Sequence, residues 1–154
     1  ELFEGDSVWL PRAKALSERI YEFTEYLVDK LNVTDLGAKW DGLLTYHPSC
    51  HTLRGIEVDR QPRALLANIQ GATLVDLPPA EECCGFGGTF SLKFGEVSTQ
   101  LADNKCGNAC ATGADAIVGG DLGCLLNIEG RLRRRGDLKT QVLHIAEVLA
   151  GRSD

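Results

Sequence analysis

The sequence predicts an α/β domain of three layers, in which a roughly four-stranded parallel sheet is covered by helices on both faces. Short apolar, β-branched segments alternate along the chain with segments whose apolar residues recur at helical spacing. Such alternation is typical of a parallel sheet whose strands are joined by crossover helices. The chain of 154 residues, 44% hydrophobic and 25% charged, has the size and composition of one globular domain, so we expect a single domain over residues 1–154.

The first predicted element is a helix. Between residues 8 and 33 apolar side chains recur every three or four positions, and Pro11 is acceptable in a first helical turn. We expect residues 1–35 to form this leading helix and residues 36–154 to form the α/β core.

The core is predicted to contain four strands and four helices. The strands are short apolar segments at residues 42–47, 73–77, 116–118 and 140–143. The helices are segments with helical periodicity at residues 61–70, 97–112, 125–134 and 145–150. Pro48 ends the first strand and Pro78 follows the second, because proline cannot donate a hydrogen bond to a sheet. Pro62 lies near the start of the helix that joins them, where proline is tolerated.

Charge and cysteine content restrict the classes of function. A net charge of −6 argues against nucleic acid or an anionic membrane as the main partner. No stretch approaches the roughly 20 apolar residues of a membrane span, and no signal-peptide pattern opens the chain. Six cysteines without a secretory signal favour a reducing compartment, so we expect a cytoplasmic protein that uses its cysteines for metal or redox chemistry. The sequence contains no methionine, and we expect it to be a fragment of a longer chain.

Two adjacent cysteines, Cys83 and Cys84, open a loop that contains Gly85, Gly87 and Gly88. Neighbouring side chains point apart in extended backbone, so both thiols reach one centre only where the chain bends sharply. Glycines permit such a bend. The loop lacks the Lys-Ser/Thr pair of a phosphate-binding loop, and we interpret it as a loop of metal ligands.

Side chains able to bind metal follow each predicted strand. In chain order they are Cys50, the pair Cys83 and Cys84, then Asp121 and Cys124, and finally His144. The carboxyl ends of parallel strands lie at one edge of the sheet, where α/β proteins bind ligands. Four thiolates suit a four-iron (4Fe-4S) cluster or a tetrahedral zinc ion. We therefore predict one metal site, formed by the four cysteines of this set, and the alternative is that these are ordinary buried cysteines.

The remaining candidates surround the predicted ligands. His47 and His51 flank Cys50, and with His144 they are expected to donate hydrogen bonds around the metal or, alternatively, to cap backbone elsewhere. The backbone of Gly85 and Gly87 is expected to support the same site. Cys106 and Cys110 lie four residues apart on a predicted helix, and we expect them to pack as small hydrophobic side chains.

Three segments carry a resemblance to a known family. They are His47-Pro48-Ser49-Cys50-His51, Glu82-Cys83-Cys84-Gly85-Phe86-Gly87-Gly88-Thr89-Phe90 and Asp121-Leu122-Gly123-Cys124-Leu125. Together with His144-Ile145-Ala146-Glu147 they resemble the cysteine-rich, or CCG, domain of iron–sulfur oxidoreductases. The resemblance is closest to the second CCG domain of the lactate utilisation protein A group and of the glycolate oxidase iron–sulfur subunit. That group carries two CCG repeats, so the resemblance implies another repeat before Glu1.

The resemblance implies an electron-transfer subunit of a complex that oxidises L-lactate or glycolate. The other subunits of that complex would be its partners, and the four predicted cysteines would hold the 4Fe-4S cluster. The family motif ends in Cys-x-x-Cys, and Asp121 occupies the first of those two positions. Asp121 would then be an oxygen ligand, which suits zinc better than a cluster. The alternatives are therefore a zinc-stabilised, non-catalytic interaction module of the same type of complex and, third, a thiol–disulfide relay.

Overall fold

The computed structural model describes residues 2–151 and contains a four-stranded sheet. The strands are β1 (Lys39–His47), β2 (Gln70–Val75), β3 (Ala116–Gly119) and β4 (Gln141–His144). Their spatial order is β2-β1-β3-β4, and every neighbouring pair is parallel. The predicted α/β class is confirmed, with each strand end within three residues of its predicted position.

Seven helices accompany the sheet in the described part of the chain. They are α1 (Trp9–Ser17), α2 (Phe23–Glu25), α3 (Arg60–Ala67), α4 (Thr89–Lys93), α5 (Gly95–Ala111), α6 (Leu122–Arg134) and α7 (Ile145–Leu149). Single π-helical turns occupy Tyr26–Lys30 and His51–Gly55. The four helices predicted in the core are all present. None of the helices within residues 2–151 combines the length and the apolar character needed to cross a bilayer.

The sheet has a hydrophobic core on each face, because successive side chains of a strand point to opposite sides. One core contains Leu44 and Tyr46 of β1, packed with residues of α3 and α7. The opposite core contains Ile117 of β3, packed with residues of α5 and α6. Helices therefore cover both faces, and the predicted three-layer arrangement is confirmed.

The predicted single helix over residues 8–33 is wrong. It is interrupted after α1, and α2 begins at Phe23. The interruption is a capping box: the Glu22 carboxylate accepts hydrogen bonds from the N–H groups of Thr24 and Glu25, and the Glu25 carboxylate accepts one from the N–H of Glu22. A residue that caps a new helix takes an extended backbone conformation, which ends the previous helical path. α1 itself buries no residue.

The two cysteines of α5 differ in burial. Cys106 is fully buried, its Sγ donates to the Ile128 carbonyl at 3.6 Å, and burial raises its pKa to about 11. The prediction of a small hydrophobic side chain is confirmed there. It is wrong for Cys110, which is exposed and lies beside the Asp137 carboxylate. Cys110 is the penultimate residue of α5, so it lies at the end of the helix rather than in the part that packs on the core.

Truncating a buried leucine of α6 should test the core on the α5–α6 face. Leu132 is completely buried, whereas Leu126 of the same helix is 67% exposed. We expect Leu132→Ala to lower the free energy of unfolding by about 2–5 kcal/mol, because it leaves a cavity. Leu126→Ala should change it by no more than about 0.5 kcal/mol. Urea denaturation measures both values, and equal losses would contradict this assignment of the core.

Candidate metal centre

Three buried side chains converge at the carboxyl edge of the sheet. The ligand atoms of His47, Cys84 and Cys124 all lie within 4.8 Å of one another. His47 ends β1, Cys84 lies in the loop that follows β2, and Cys124 lies in the first turn of α6, just after β3. Because β2, β1 and β3 are neighbours, the segments that follow them meet here. We call these three residues the buried triad.

The imidazole of His47 indicates that the triad is suited to a metal. His47 is 2% exposed, and neither of its ring nitrogens has a hydrogen-bond partner of good geometry within the described residues. Leaving buried polar atoms unpaired costs about 1–3 kcal/mol each. A metal ion bound between the ring and the thiols of Cys84 and Cys124 would use one of those nitrogens. Nitrogen and sulfur ligands suit zinc and other soft metals.

The two cysteines of the triad share one proton. The Cys124 thiol donates to Cys84 Sγ and lowers the pKa of Cys84 against the opposing effect of burial, and His47 and the backbone N–H of Phe86 lower it further. The negative sulfur of Cys84 in turn raises the pKa of Cys124, and burial acts in the same direction. One thiolate is therefore already present, and the second forms only when the shared proton leaves.

The other three predicted ligands lie outside the triad. Cys50 is exposed, and Cys83 is partly buried, with its Sγ accepting the N–H of Gly85 at 3.3 Å. The Asp121 carboxylate accepts the backbone N–H of Cys124 at 3.0 Å and so caps α6. The charges of Asp121 and Cys50 contribute to the raised pKa of Cys124. The two side chains are therefore near the triad, although they are not part of it.

The other two histidines have different surroundings. The Nδ1 atom of His144 accepts the N–H of Ala146 at 3.2 Å, so Nε2 carries the hydrogen and donates it to the Gly120 carbonyl at 3.1 Å. His144 thus caps α7 and holds the backbone just before Asp121. His51 is exposed and lines a cavity of 590 Å³ beside the triad, together with Asp121.

Glycines allow the double-cysteine loop to lie close to α5 and α6. Gly85 and Gly87 both have positive φ angles, +83° and +53°. A Cβ atom at Gly85 would clash with the carbonyl oxygen of Ser98 in α5, and one at Gly123 would clash with the ring of Phe86. The loop therefore packs directly on the first turn of α6, which brings Cys84 to Cys124.

Four polar side chains that the sequence analysis missed hold this loop. Ser98 Oγ donates to the Gly85 carbonyl (2.7 Å), Lys105 Nζ to the Pro79 carbonyl (3.1 Å), Asn108 Nδ2 to the Glu82 carboxylate (2.7 Å) and Asn127 Nδ2 to the Cys84 carbonyl (2.8 Å). One signal was available in the sequence. Ser98 and Lys105 are seven residues apart on the same helical face as Ala102 and Ala109, where only apolar side chains would be expected.

Replacing Gly85 by alanine should disrupt the centre. At Gly85 an alanine would be strained by the positive φ and its Cβ would also clash with Ser98. At Gly113 the φ is +72°, but no atom lies within 4 Å of the new Cβ, so Gly113→Ala adds strain alone. Each substitution carries a strain of about 1–2 kcal/mol, but only Gly85→Ala must displace the loop. We expect Gly85→Ala to lose Zn²⁺ affinity and Gly113→Ala to keep it, as measured by competition with a chelator. Equal affinities in the two variants would contradict this role of the loop.

Comparison with known proteins identifies a family whose sequence pattern matches this part of the chain. The family described as "Cysteine-rich domain" (CCG) matches residues 44–129, a range that includes the triad and every predicted cysteine ligand. "Lactate utilization protein A 1" of Bacillus cereus (strain AH820) is 49% identical over 152 residues, 99% of this chain and 63% of that protein. "Lactate utilization protein A" of Bacillus cereus (strain G9842) and of Bacillus thuringiensis (strain Al Hakam) are each 48% identical with the same coverage.

The chain thus spans 63% of the length of these relatives. The family match extends over more than half of the chain, from the middle of β1 into α6. The chain therefore belongs to the CCG family of cysteine-rich domains.

Proposed function

We propose that this domain is an electron-transfer module in which Cys50, Cys83, Cys84 and Cys124 hold a four-iron cluster. The observation that carries the proposal is the buried triad, in which two thiols and an unpaired imidazole lie together at the edge of the sheet. A four-iron cluster bound there would supply one-electron transfer. His47 would donate a hydrogen bond toward sulfur in this arrangement, as polar groups around clusters do.

The two sides of the site have different tasks in this proposal. Cys84 and Cys124 are buried and keep water away from the centre, while Cys50 is exposed. The exposed side is where a donor or acceptor protein would approach. All six cysteines are free, which agrees with a reducing, cytoplasmic location.

We further propose that the electrons come from oxidation of L-lactate, or alternatively of glycolate, in another subunit of a complex. The support for lactate is the name of the relatives, lactate utilization protein A. The cavity lined by His51 and Asp121 also has Glu22 and Glu25 in its lining, so it contains three acidic residues. Negative charge at all three would repel the carboxylate of a hydroxy acid. Oxidation of the substrate is therefore assigned to a partner subunit, and this chain is assigned to electron transfer.

A second candidate is a zinc-stabilised interaction module. The triad itself favours it, because an imidazole nitrogen with two thiolates is a common part of a structural zinc site. A further ligand would come from Cys50, Cys83 or Asp121.

Metal analysis of matched cysteine variants should distinguish these functions. After anaerobic reconstitution we expect about four iron and four sulfide per wild-type chain. Cys84→Ser should lose them, because it removes a buried ligand, whereas Cys110→Ser should keep them, because Cys110 is exposed at the far end of α5. Stoichiometric zinc without sulfide would favour the second candidate. A wild-type protein that takes up neither metal would contradict both.

Metal affinity should rise with pH. Because the pKa of Cys124 is raised, the shared proton is still present at neutral pH, and binding of a metal to both sulfur atoms must release it. For each proton that metal binding releases, the affinity rises about tenfold per pH unit. This holds over the pH range in which the metal-free protein still carries that proton. Chelator competition with Zn²⁺ at several pH values measures the slope. Cys110→Ser should retain the wild-type slope, and an affinity independent of pH would contradict a shared proton.

A further inference from the structure

Lys105 is the largest side chain that is completely buried among the described residues. It lies on the face of α5 that packs against the sheet and the double-cysteine loop, one turn after Ala102. Lysine is almost never fully buried unless its charge is compensated. No carboxylate of residues 2–151 forms a salt bridge with it, so its charge is compensated at longer range.

The groups around Lys105 belong to the metal centre. Its Nζ donates one hydrogen bond, to the Pro79 carbonyl at 3.1 Å. The carboxylate of Glu82 and the sulfur atoms of Cys83, Cys84 and Cys124 are near enough for their charges to act on the amine. Glu82 accepts its hydrogen bond from Asn108 instead. The Glu82 carboxylate and the Cys84 thiolate are thus the leading negative groups near this buried amine, and Cys83 and Cys124, two further predicted ligands, lie near enough to add negative charge when a metal binds.

We propose that Lys105 is the buried counter-cation of the metal centre, fixing its metal affinity and reduction potential through charge. The inference rests on the proposed metal centre. Four thiolates around Zn²⁺ or around an oxidised four-iron cluster leave a net charge of about −2. Such charge is costly in a site with little water unless positive charge is near. One added electron makes the cluster more negative, so a fixed ammonium stabilises the reduced form more than the oxidised form.

Lys105 has two separable contributions, its charge and its hydrogen bond to the loop. Lys105→Gln keeps a donor and removes the charge, whereas Lys105→Met removes both. Lys139→Gln removes the same charge from an exposed position near the opposite edge of the sheet, beside the start of β4, and is the matched control. The full chain is used in each case, with Zn²⁺ as the probe for affinity and the reconstituted cluster as the probe for potential.

The Zn²⁺ dissociation constant should rise by roughly tenfold or more in both Lys105 variants, as expected when a unit charge is removed near the ligands. The reduction potential of the reconstituted cluster should become more negative, and a tenfold effect on a one-electron couple is about 59 mV. Lys139→Gln should match wild type in both measurements. Urea unfolding of the metal-free protein provides a separate readout. There, Lys105→Met should be as stable as wild type or more stable, because an incompletely compensated buried amine has been removed.

The outcomes separate the two proposals. Wild-type protein that binds metal, with Lys105 variants that match it in affinity and potential, would overturn the counter-cation while leaving the metal centre intact. A metal-free Lys105→Met protein that is much less stable than wild type would also overturn it and would assign Lys105 to the fold alone. Wild-type protein that binds neither metal would overturn both proposals.

Discussion

The contact between the double-cysteine loop and the first turn of α6 sets the approach of Cys84 to Cys124 in the candidate metal centre. Phe86 lies against Gly123, and because Gly123 has no side chain the loop approaches closely enough for Cys84 to reach Cys124. One proton then lies between two buried sulfur atoms, next to an imidazole that has no other partner. The closeness of Cys84 and Cys124, and the proton that they share, depend on this contact.

The same contact buries negatively charged sulfur, which is unfavourable unless neighbouring groups stabilise the charge. Negative sulfur in a dry site needs donors and positive charge nearby. Backbone N–H groups of the loop point at both adjacent cysteines, since Gly85 donates to Cys83 and Phe86 donates to Cys84. The amine of Lys105 lies in the same region, where burial lowers its pKa and the nearby negative groups, Glu82 first, oppose that effect. Helix α5 therefore serves the site as much as the core, although none of its residues is a predicted ligand.

Much of the fold followed from periodicity, because parallel strands and their crossover helices have distinct apolar spacings. The meeting of Cys84 and Cys124 followed from the rule that strand ends share one edge. The direction of each side chain could not be predicted from that rule. Asp121 near that edge could bind metal or cap a helix, and in the structure its carboxylate accepts the backbone N–H of Cys124. The break after α1 was missed because Glu22 is not a typical capping residue. Lys105 was missed because lysine is ordinarily assigned to the surface.

The strand order has a consequence for how the residues at this edge of the sheet can change in evolution. The connection from β1 runs to β2 on one side, and the next connection returns over the opposite face to β3 on the other side. This reversal of winding opens a crevice between β1 and β3 by topology alone. The adjoining loops add cysteine and histidine side chains to that crevice, and two of them, Cys84 and Cys124, also belong to the core on the α5–α6 face. Exchange of one residue at this edge, such as Asp121, therefore changes the crevice and the scaffold together, because the same carboxylate caps α6 at the N–H of Cys124.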